Sequence, residues 1–258
     1  MAVVVTRSAH MTEVMAGAEA RSVEGNGLGA LVLHGFTGNP SSMRPVADAF
    51  EAAGWSVELP RLPGHGTTVE EMLTTSYPDW LGEVDSAWQR LVDRTDQQVV
   101  VGLSMGGTLT AEVAARHEPA GAVFINAACA PLAAEMREGA TALLDAGETV
   151  MPGIGSDIAK EGVVESAYAE TPLQPLLDLA AAVDALQARL ADISCPVLIL
   201  TSPEDHVVPA ASSDHLASAV SGPVRRVSLD RSYHVATLDH DAQVILDETL
   251  AFAAEVTG

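Results

Sequence analysis

Gly102-Leu103-Ser104-Met105-Gly106 is the stretch of this chain whose residue types and spacing most plainly suit chemistry. It follows a continuous apolar run at 98–103 and precedes a helical pattern at 107–116. A G-x-S-x-G pentapeptide on a strand–turn–helix is a nucleophile elbow. The tight turn strains the serine backbone, leaves no room for side chains at the two glycines, and lifts the hydroxyl clear of the sheet. Serine is a weak nucleophile at neutral pH, so it needs a general base that is itself oriented by a carboxylate. On such an elbow the chain order is serine, acid, histidine, and both partners are therefore sought after residue 104.

The acid belongs just beyond a late strand. The apolar run at 196–201 leads into Ser202-Pro203-Glu204-Asp205-His206-Val207-Val208-Pro209, where Asp205 is the expected acid and Glu204 its local rival. Of the eight histidines, His234 is the expected base, because it lies in the loop between the last strand, 224–229, and the final helix, 243–255. His206 and His215 follow the acid too closely, and His240 is expected to be exposed near the final helix start; Asp239 either caps that helix, the favoured role, or hydrogen-bonds near His234. Acyl transfer also needs two N–H groups aimed at the developing oxyanion. These are expected from Met105, after the nucleophile, and from Phe36 in His34-Gly35-Phe36-Thr37-Gly38. His34 and His65, the latter in Pro63-Gly64-His65-Gly66, read as loop braces. No H-E-x-x-H or Cys/His spacing points to a metal, and no cofactor is needed.

The elements that must carry these residues alternate. Strand-like runs fall at 28–33, 55–59, 98–103, 122–126, 196–200 and 224–229, with helical spacing at 42–53, 77–92, 107–116 and 243–255 between or after them. Continuous apolar strands separated by helices indicate an α/β fold with a mostly parallel sheet covered on both faces. The rhythm breaks at 131–194, which holds helical patterns at 136–146 and 173–190 and an expected loop at 151–155. A structureless loop of that length is uncommon in a compact domain, so 131–194 reads as an inserted cap, with 28–130 and 195–258 as the core. Within residues 1–27, 3–6 and 19–23 are expected as edge strands and 1–15 as loose.

Composition narrows the partners. The chain has 258 residues, 35 acidic against 13 basic side chains, and a formal charge of −22. Such a field repels phosphate backbones and anionic headgroups, which argues against nucleic acid and against stable membrane insertion or surface binding. Two cysteines exclude a disulfide scaffold. No signal peptide is legible, and a soluble cytoplasmic protein, monomer or homodimer, is expected.

Taken together, His34-Gly35-Phe36-Thr37-Gly38, Gly64-His65-Gly66, Tyr77-Pro78-Asp79-Trp80, Gly102-Leu103-Ser104-Met105-Gly106-Gly107, Asp205-His206-Val207-Val208-Pro209 and His234-Val235-Ala236-Thr237-Leu238-Asp239 resemble the α/β-hydrolase superfamily. Within it the chain is similar to compact bacterial carboxylesterases and monoacylglycerol lipases with a small helical cap. The resemblance covers roughly 28–255. It implies Ser104, His234 and Asp205 as the triad and the Phe36 and Met105 amides as the oxyanion hole, but does not fix the substrate; short-chain esters and medium-chain monoacylglycerols both stay open, and the charge of −22 favours a neutral ester. It also implies that the cap shapes the acyl pocket. The acyl chain is then expected against Ile154, Leu173 or Leu177, with Phe36 and Met105 at the pocket floor. Thioesterase, C–C hydrolase, perhydrolase or peptidase chemistry on the same scaffold, and a non-catalytic receptor, are the competing readings.

Overall fold

Apolar runs and helical patterns alternate along the chain in the computed structural model, which describes residues 13–258. The expected strand at 3–6 and His10 lie outside the described residues. The chain runs β1 (Arg21–Val23), β2 (Leu28–Leu33), α1 (Arg44–Ala52), β3 (Ser56–Leu59), α2 (Val69–Met72), α3 (Tyr77–Val92), β4 (Gln97–Leu103), α4 (Met105–His117) and β5 (Gly121–Ile125). It continues with α5 (Ala134–Asp145), β6 (Val150–Pro152), β7 (Glu170–Pro172), α6 (Leu173–Leu186), β8 (Val197–Thr201), α7 (Ala211–Ala219), β9 (Val224–Ser228) and α8 (Ala242–Thr257).

Among the described residues seven strands form one sheet in the order β1-β3-β2-β4-β5-β8-β9. Only β1 runs antiparallel, against β3; the other pairings are parallel. β1 is the edge strand expected within 19–23. The central strands are buried on both faces, which is why they read as unbroken apolar runs. Alternate residues divide between two helical layers. Leu31 and Leu33 of β2 pack with Trp80 and Trp88 of α3 and Leu109 of α4. Ala30 and Val32 pack instead with Phe50 of α1 and with Ile245 and Phe252 of α8. β9, at the far edge, is more open, and its burial alternates along the strand.

The 131–194 segment carries the two expected helices, but the expected loop at 151–155 is partly strand. β6 pairs antiparallel with β7, with Met151 opposite Thr171. Three-residue strands ending in proline leave no alternating pattern to read, and their pairing spans a long connection. The expected helix at 173–190 is α6 followed by a 3₁₀ turn, Gln187–Asp192. Leu186, Leu190 and Ile193, at its end, are buried in the same core cluster as Leu109 of α4. Among the described residues no helix is long and apolar enough to cross a membrane.

The start of α4 and the end of β2 approach each other closely. A methyl group on Gly106 would lie 2.2 Å from the Leu33 carbonyl oxygen. Backbone cannot yield as a flexible side chain does, so Gly106→Ala should cost about 3 kcal/mol and lower the melting temperature by about 6–12 °C. Scanning fluorimetry or calorimetry reads this directly, and a shift within about 1 °C of wild type would contradict so close an approach.

Candidate active site

β3 lies on one side of β2 and β4 on the other. The connections leaving β2 and β4 therefore diverge, opening a crevice at the C-terminal ends of these strands, where ligands bind in open α/β sheets. Ser104 sits there between β4 and α4, at φ 56° and ψ −119°. A non-glycine residue at positive φ is strained by about 1–3 kcal/mol and persists only when its surroundings over-determine it. Here the Ser104 amide donates to the Ile125 carbonyl at 3.0 Å, and its own carbonyl accepts from Gly107 and Ala128 at 2.8 and 3.1 Å. Gly102 must be glycine for the turn to close, since a Cβ there would be 2.0 Å from the Gly106 oxygen.

Asp205 and His234 come from the loops after β8 and β9. His234 Nδ1 lies 2.7 Å from Asp205 Oδ2, and the Asp205 side chain is fully buried. The Val207 and Val208 amides donate to the other carboxylate oxygen, each at 2.8 Å. An ionised carboxylate on these donors fixes the imidazole with its proton on Nδ1, leaving Nε2 as the acceptor. Asn126, at φ 43° just past β5, ties the two loops together. Its amide group donates to Ser202 Oγ at 3.0 Å and to the His234 carbonyl at 2.8 Å, and its oxygen accepts from the Ser202 amide at 2.8 Å. Glu204 is exposed and away from this arrangement. His206 pairs with Asp157, and His215 with Gln187. His240 is exposed.

The loop after β2 faces the elbow. A Cβ on Gly35 would be 3.3 Å from Ser104 Cβ, and Thr37 turns the chain at φ 62°. Among the described residues neither the Phe36 nor the Met105 amide has a hydrogen-bond partner. Beneath this loop His34 donates from Nδ1 to the Gly35 carbonyl at 2.9 Å and accepts at Nε2 from the Leu62 amide at 3.2 Å. His65 packs edge-on to His34, Phe36 and Trp80. Burial pushes His34 down to about 4, with Arg61 adding to the effect against the Gly35 hydrogen bond. Burial likewise holds His65 well below the usual histidine range. Both are neutral braces at pH 7.

Ser104 and His234 line one cavity of about 280 Å³ together with Phe36 and Ile154. Two expected pocket residues are elsewhere. Leu173 is fully buried at the start of α6, where its amide bonds the Thr149 carbonyl. Leu177 lies on a neighbouring face, because the face of α6 toward the cavity is Leu176, Leu179, Ala180 and Val183, at helical spacing. The Met105 side chain is buried in the core rather than at the pocket floor; only its backbone lies at the turn. Asp239 does not cap α8, whose N-cap is Asp241. Its carboxylate instead accepts from the Tyr233, Ala159 and Lys160 amides at 2.9, 2.7 and 2.9 Å. Asn126, Asp157 and Glu165 escaped the sequence reading, because no spacing marks a lone polar residue whose partners are distant in the chain. Glu165 lines the cavity, and its carboxyl is raised to about 7 by burial, against the influence of His234 and Ser42. Among the described residues no cluster of three or more His, Cys, Asp or Glu could hold a metal.

The His34 shift has a definite sign. Between pH 6.5 and about 4 the unfolded chain takes up a proton that the folded one refuses. Stability should therefore be lost as pH falls through that window, by about 2 kcal/mol at pH 5 from this residue alone. Melting curves at pH 7 and pH 5 should show a smaller decrease for His34→Gln than for wild type, and parallel decreases would refute the buried neutral state.

Residues 30–241 match the Hydrolase_4 family, described as serine aminopeptidase, S33. Over 249 residues the chain is 42% identical to a thermostable monoacylglycerol lipase of Bacillus sp. (strain H-257), covering 95% of this chain and 98% of that one. It is 23% identical over 234 residues to a carboxylesterase of Bacillus subtilis (strain 168), covering 89% and 93%. A structure reported for the metagenome-derived lipolytic enzymes LipS and LipT superposes with a TM-score of 0.90 at 40% identity, over 94% of this chain and 100% of that one. The monoacylglycerol lipase of Paleococcus ferrophilus superposes at 0.73 with 15% identity, over 93% and 100%, a likeness of fold alone. A family match across most of the chain, on the doubly covered parallel sheet that the sequence pattern implied, leads to one conclusion: the chain belongs to the Hydrolase_4 family of serine hydrolase enzymes and has the α/β-hydrolase fold.

Proposed function

We propose that the protein hydrolyses neutral carboxylic esters of short to medium acyl chain, monoacylglycerols among them, through an acyl-enzyme on Ser104. The observation that carries this reading is the cavity. It is walled by apolar side chains, Leu176, Leu179 and Val183 of α6 among them, and it opens on Ser104 and His234. An acyl chain can lie along that wall with its carbonyl at the elbow. The 42% identity to a monoacylglycerol lipase supports the substrate class.

In this reading His234 Nε2 takes the Ser104 proton as the hydroxyl attacks the ester carbonyl, and Asp205 stabilises the imidazolium without being protonated itself. The oxyanion forms between the Phe36 and Met105 amides, which have no competing partner, and one such donor is worth about 10²–10³ in rate. His234 returns the proton to the leaving alcohol, and water clears the acyl-enzyme by the same route. The 131–194 segment acts as the cap in this reading, which is supported by its giving Met136, Met151 and Ile154 to the cavity lining. Glu165, near half-protonation at pH 7, can accept from or donate to a hydroxyl, which suits an uncharged polyol head. The surplus of acidic surface disfavours anionic substrates. Burial raises the two free thiols, Cys129 and Cys195, to about 12 and 11. Such inert thiols suit a cytoplasmic setting.

Ser104→Ala should abolish p-nitrophenyl butyrate hydrolysis. Asp205→Ala should lower kcat by about 10³–10⁴-fold while Glu204→Ala stays within about twofold, and the reverse pattern would overturn the choice of acid.

Across p-nitrophenyl esters from acetate to palmitate, kcat/KM should climb by up to about fourfold per methylene, then level off once the chain outgrows the cavity. Monoacylglycerol, acyl-thioester and aminoacyl-anilide substrates belong in the same series. Faster turnover of the anilide than of any ester would favour peptidase chemistry instead.

A further inference from the structure

Asp157 lies outside the sheet, in the stretch that follows β6, yet it holds both loops that carry the acid and the base. Its Oδ2 accepts from the backbone amides of His206 and of His234 itself, each at 3.1 Å. Its Oδ1 takes the Nδ1 proton of His206 at 2.8 Å, and its carbonyl accepts from the Val235 amide at 3.1 Å. The side chain is only 10% exposed. His206 is the residue next to Asp205, so one carboxylate bridges the acid loop and the histidine loop in addition to the Asp205–His234 bond. Asp239 reaches back from the histidine loop to the Ala159 and Lys160 amides. The two carboxylates close a reciprocal clasp between residues 157–160 and the loop that carries His234.

We propose that Asp157 is a positioning residue: it sets the spacing of the acid and histidine loops, so that the base is aligned only when the 157–160 segment is seated. The proposal rests on the reading of Asp205 and His234 as acid and base. It predicts an effect on the chemical step and not on substrate binding. Ser104 stays in place when Asp157 is removed, because the elbow is pinned by its own backbone hydrogen bonds.

The test is steady-state hydrolysis of p-nitrophenyl butyrate by Asp157→Ala, Asp157→Asn and Asp157→Glu, with melting temperatures measured alongside. Asp157→Ala should lower kcat by about 10–100-fold, as a misplacement of about 1 Å does, with KM nearly unchanged and fluorophosphonate labelling of Ser104 slowed in parallel. Asp157→Asn should recover most of the rate, because its oxygen still accepts the two amides and its NH₂ can donate to His206 Nδ1. Unchanged kcat in Asp157→Ala, or a loss expressed in KM alone, would overturn the proposal. So would an Asn variant as impaired as Ala, since charge rather than hydrogen bonding would then be at work. If Asp157→Ala does not fold, Asp157→Glu decides: it keeps the charge but shifts the carboxylate by one methylene, and wild-type kcat would refute the positioning role. Asp205→Ala runs beside them. Should that variant keep its turnover, the acid–base reading fails instead.

Discussion

The closeness of two backbones governs the site. α4 can begin where it does only because Gly106 lies against the Leu33 and His34 carbonyls and Gly102 against the Gly106 carbonyl, at distances no Cβ tolerates. That contact forces Ser104 to positive φ and aims its side chain out of the sheet. It also brings Gly35 beside the serine, so the loop after β2 and the N-terminus of α4 present their amides to the same space. The helix end contributes unsatisfied N–H groups and a favourable dipole for developing negative charge. The Ser104 hydroxyl and the two unpartnered amides are therefore one backbone feature, set by glycine, with little dependence on neighbouring side-chain rotamers.

Asp205 and His234 rest on a different principle. Their loops have no sheet register to hold them, so side-chain acceptors satisfy their backbone amides. Asp205 takes two amides, Asn126 takes one and gives to the His234 carbonyl, and Asp239 takes Tyr233. A buried polar network of this kind is strong when complete and costly when one member is missing. That asymmetry lets loops from β5, β8, β9 and the 131–194 segment meet with the rigidity of an element interior. His34 and His65 brace the loop after β2 separately, and there burial keeps the rings neutral, so their hydrogen bonds carry no charge.

The boundary between what the sequence made legible and what it did not follows these two principles. The elbow was readable because strand, glycines and helix are adjacent in the chain, and the buried parallel strands were readable because their apolar runs are continuous. Asp205 and His234, which the structure brings within 2.7 Å of each other, stood out because each follows a recognisable strand. Asp157 and Asn126 did not: each bonds residues some 50 to 108 positions away, and nothing in local spacing encodes that. The β6–β7 pairing was hidden for a related reason, being short, proline-terminated and non-local. Leu173 and Leu177 were misplaced within a helix that was itself correctly expected. A helix apolar over most of its circumference gives its period but not which apolar stripe faces the cavity, and the choice between Leu177 and Leu176 turns on about 100° of rotation.

Within the 131–194 segment the cavity wall has two kinds of support. Leu179 and Val183 of α6 line the cavity and also belong to the core cluster that covers the sheet, so their positions are set by packing against α3 and α4. Met136 and Ile154 line the same cavity but are 48% and 62% exposed, with little behind them. Interiors pack like crystals and resist deformation, whereas an exposed side chain is free to change rotamer. Between these two, residues 157–168 are tied at both ends: Asp157 to the histidine loop, and Tyr168 to the Thr37, Gly64 and Thr67 backbone. The floor and one side of the cavity are therefore as rigid as the core. Adjustment to a longer or bulkier acyl chain falls to the rim formed by α5 and the residues just after β6. The shape of the reacting end is thereby separated from the tolerance of the far end, although the single 131–194 segment supplies parts of both.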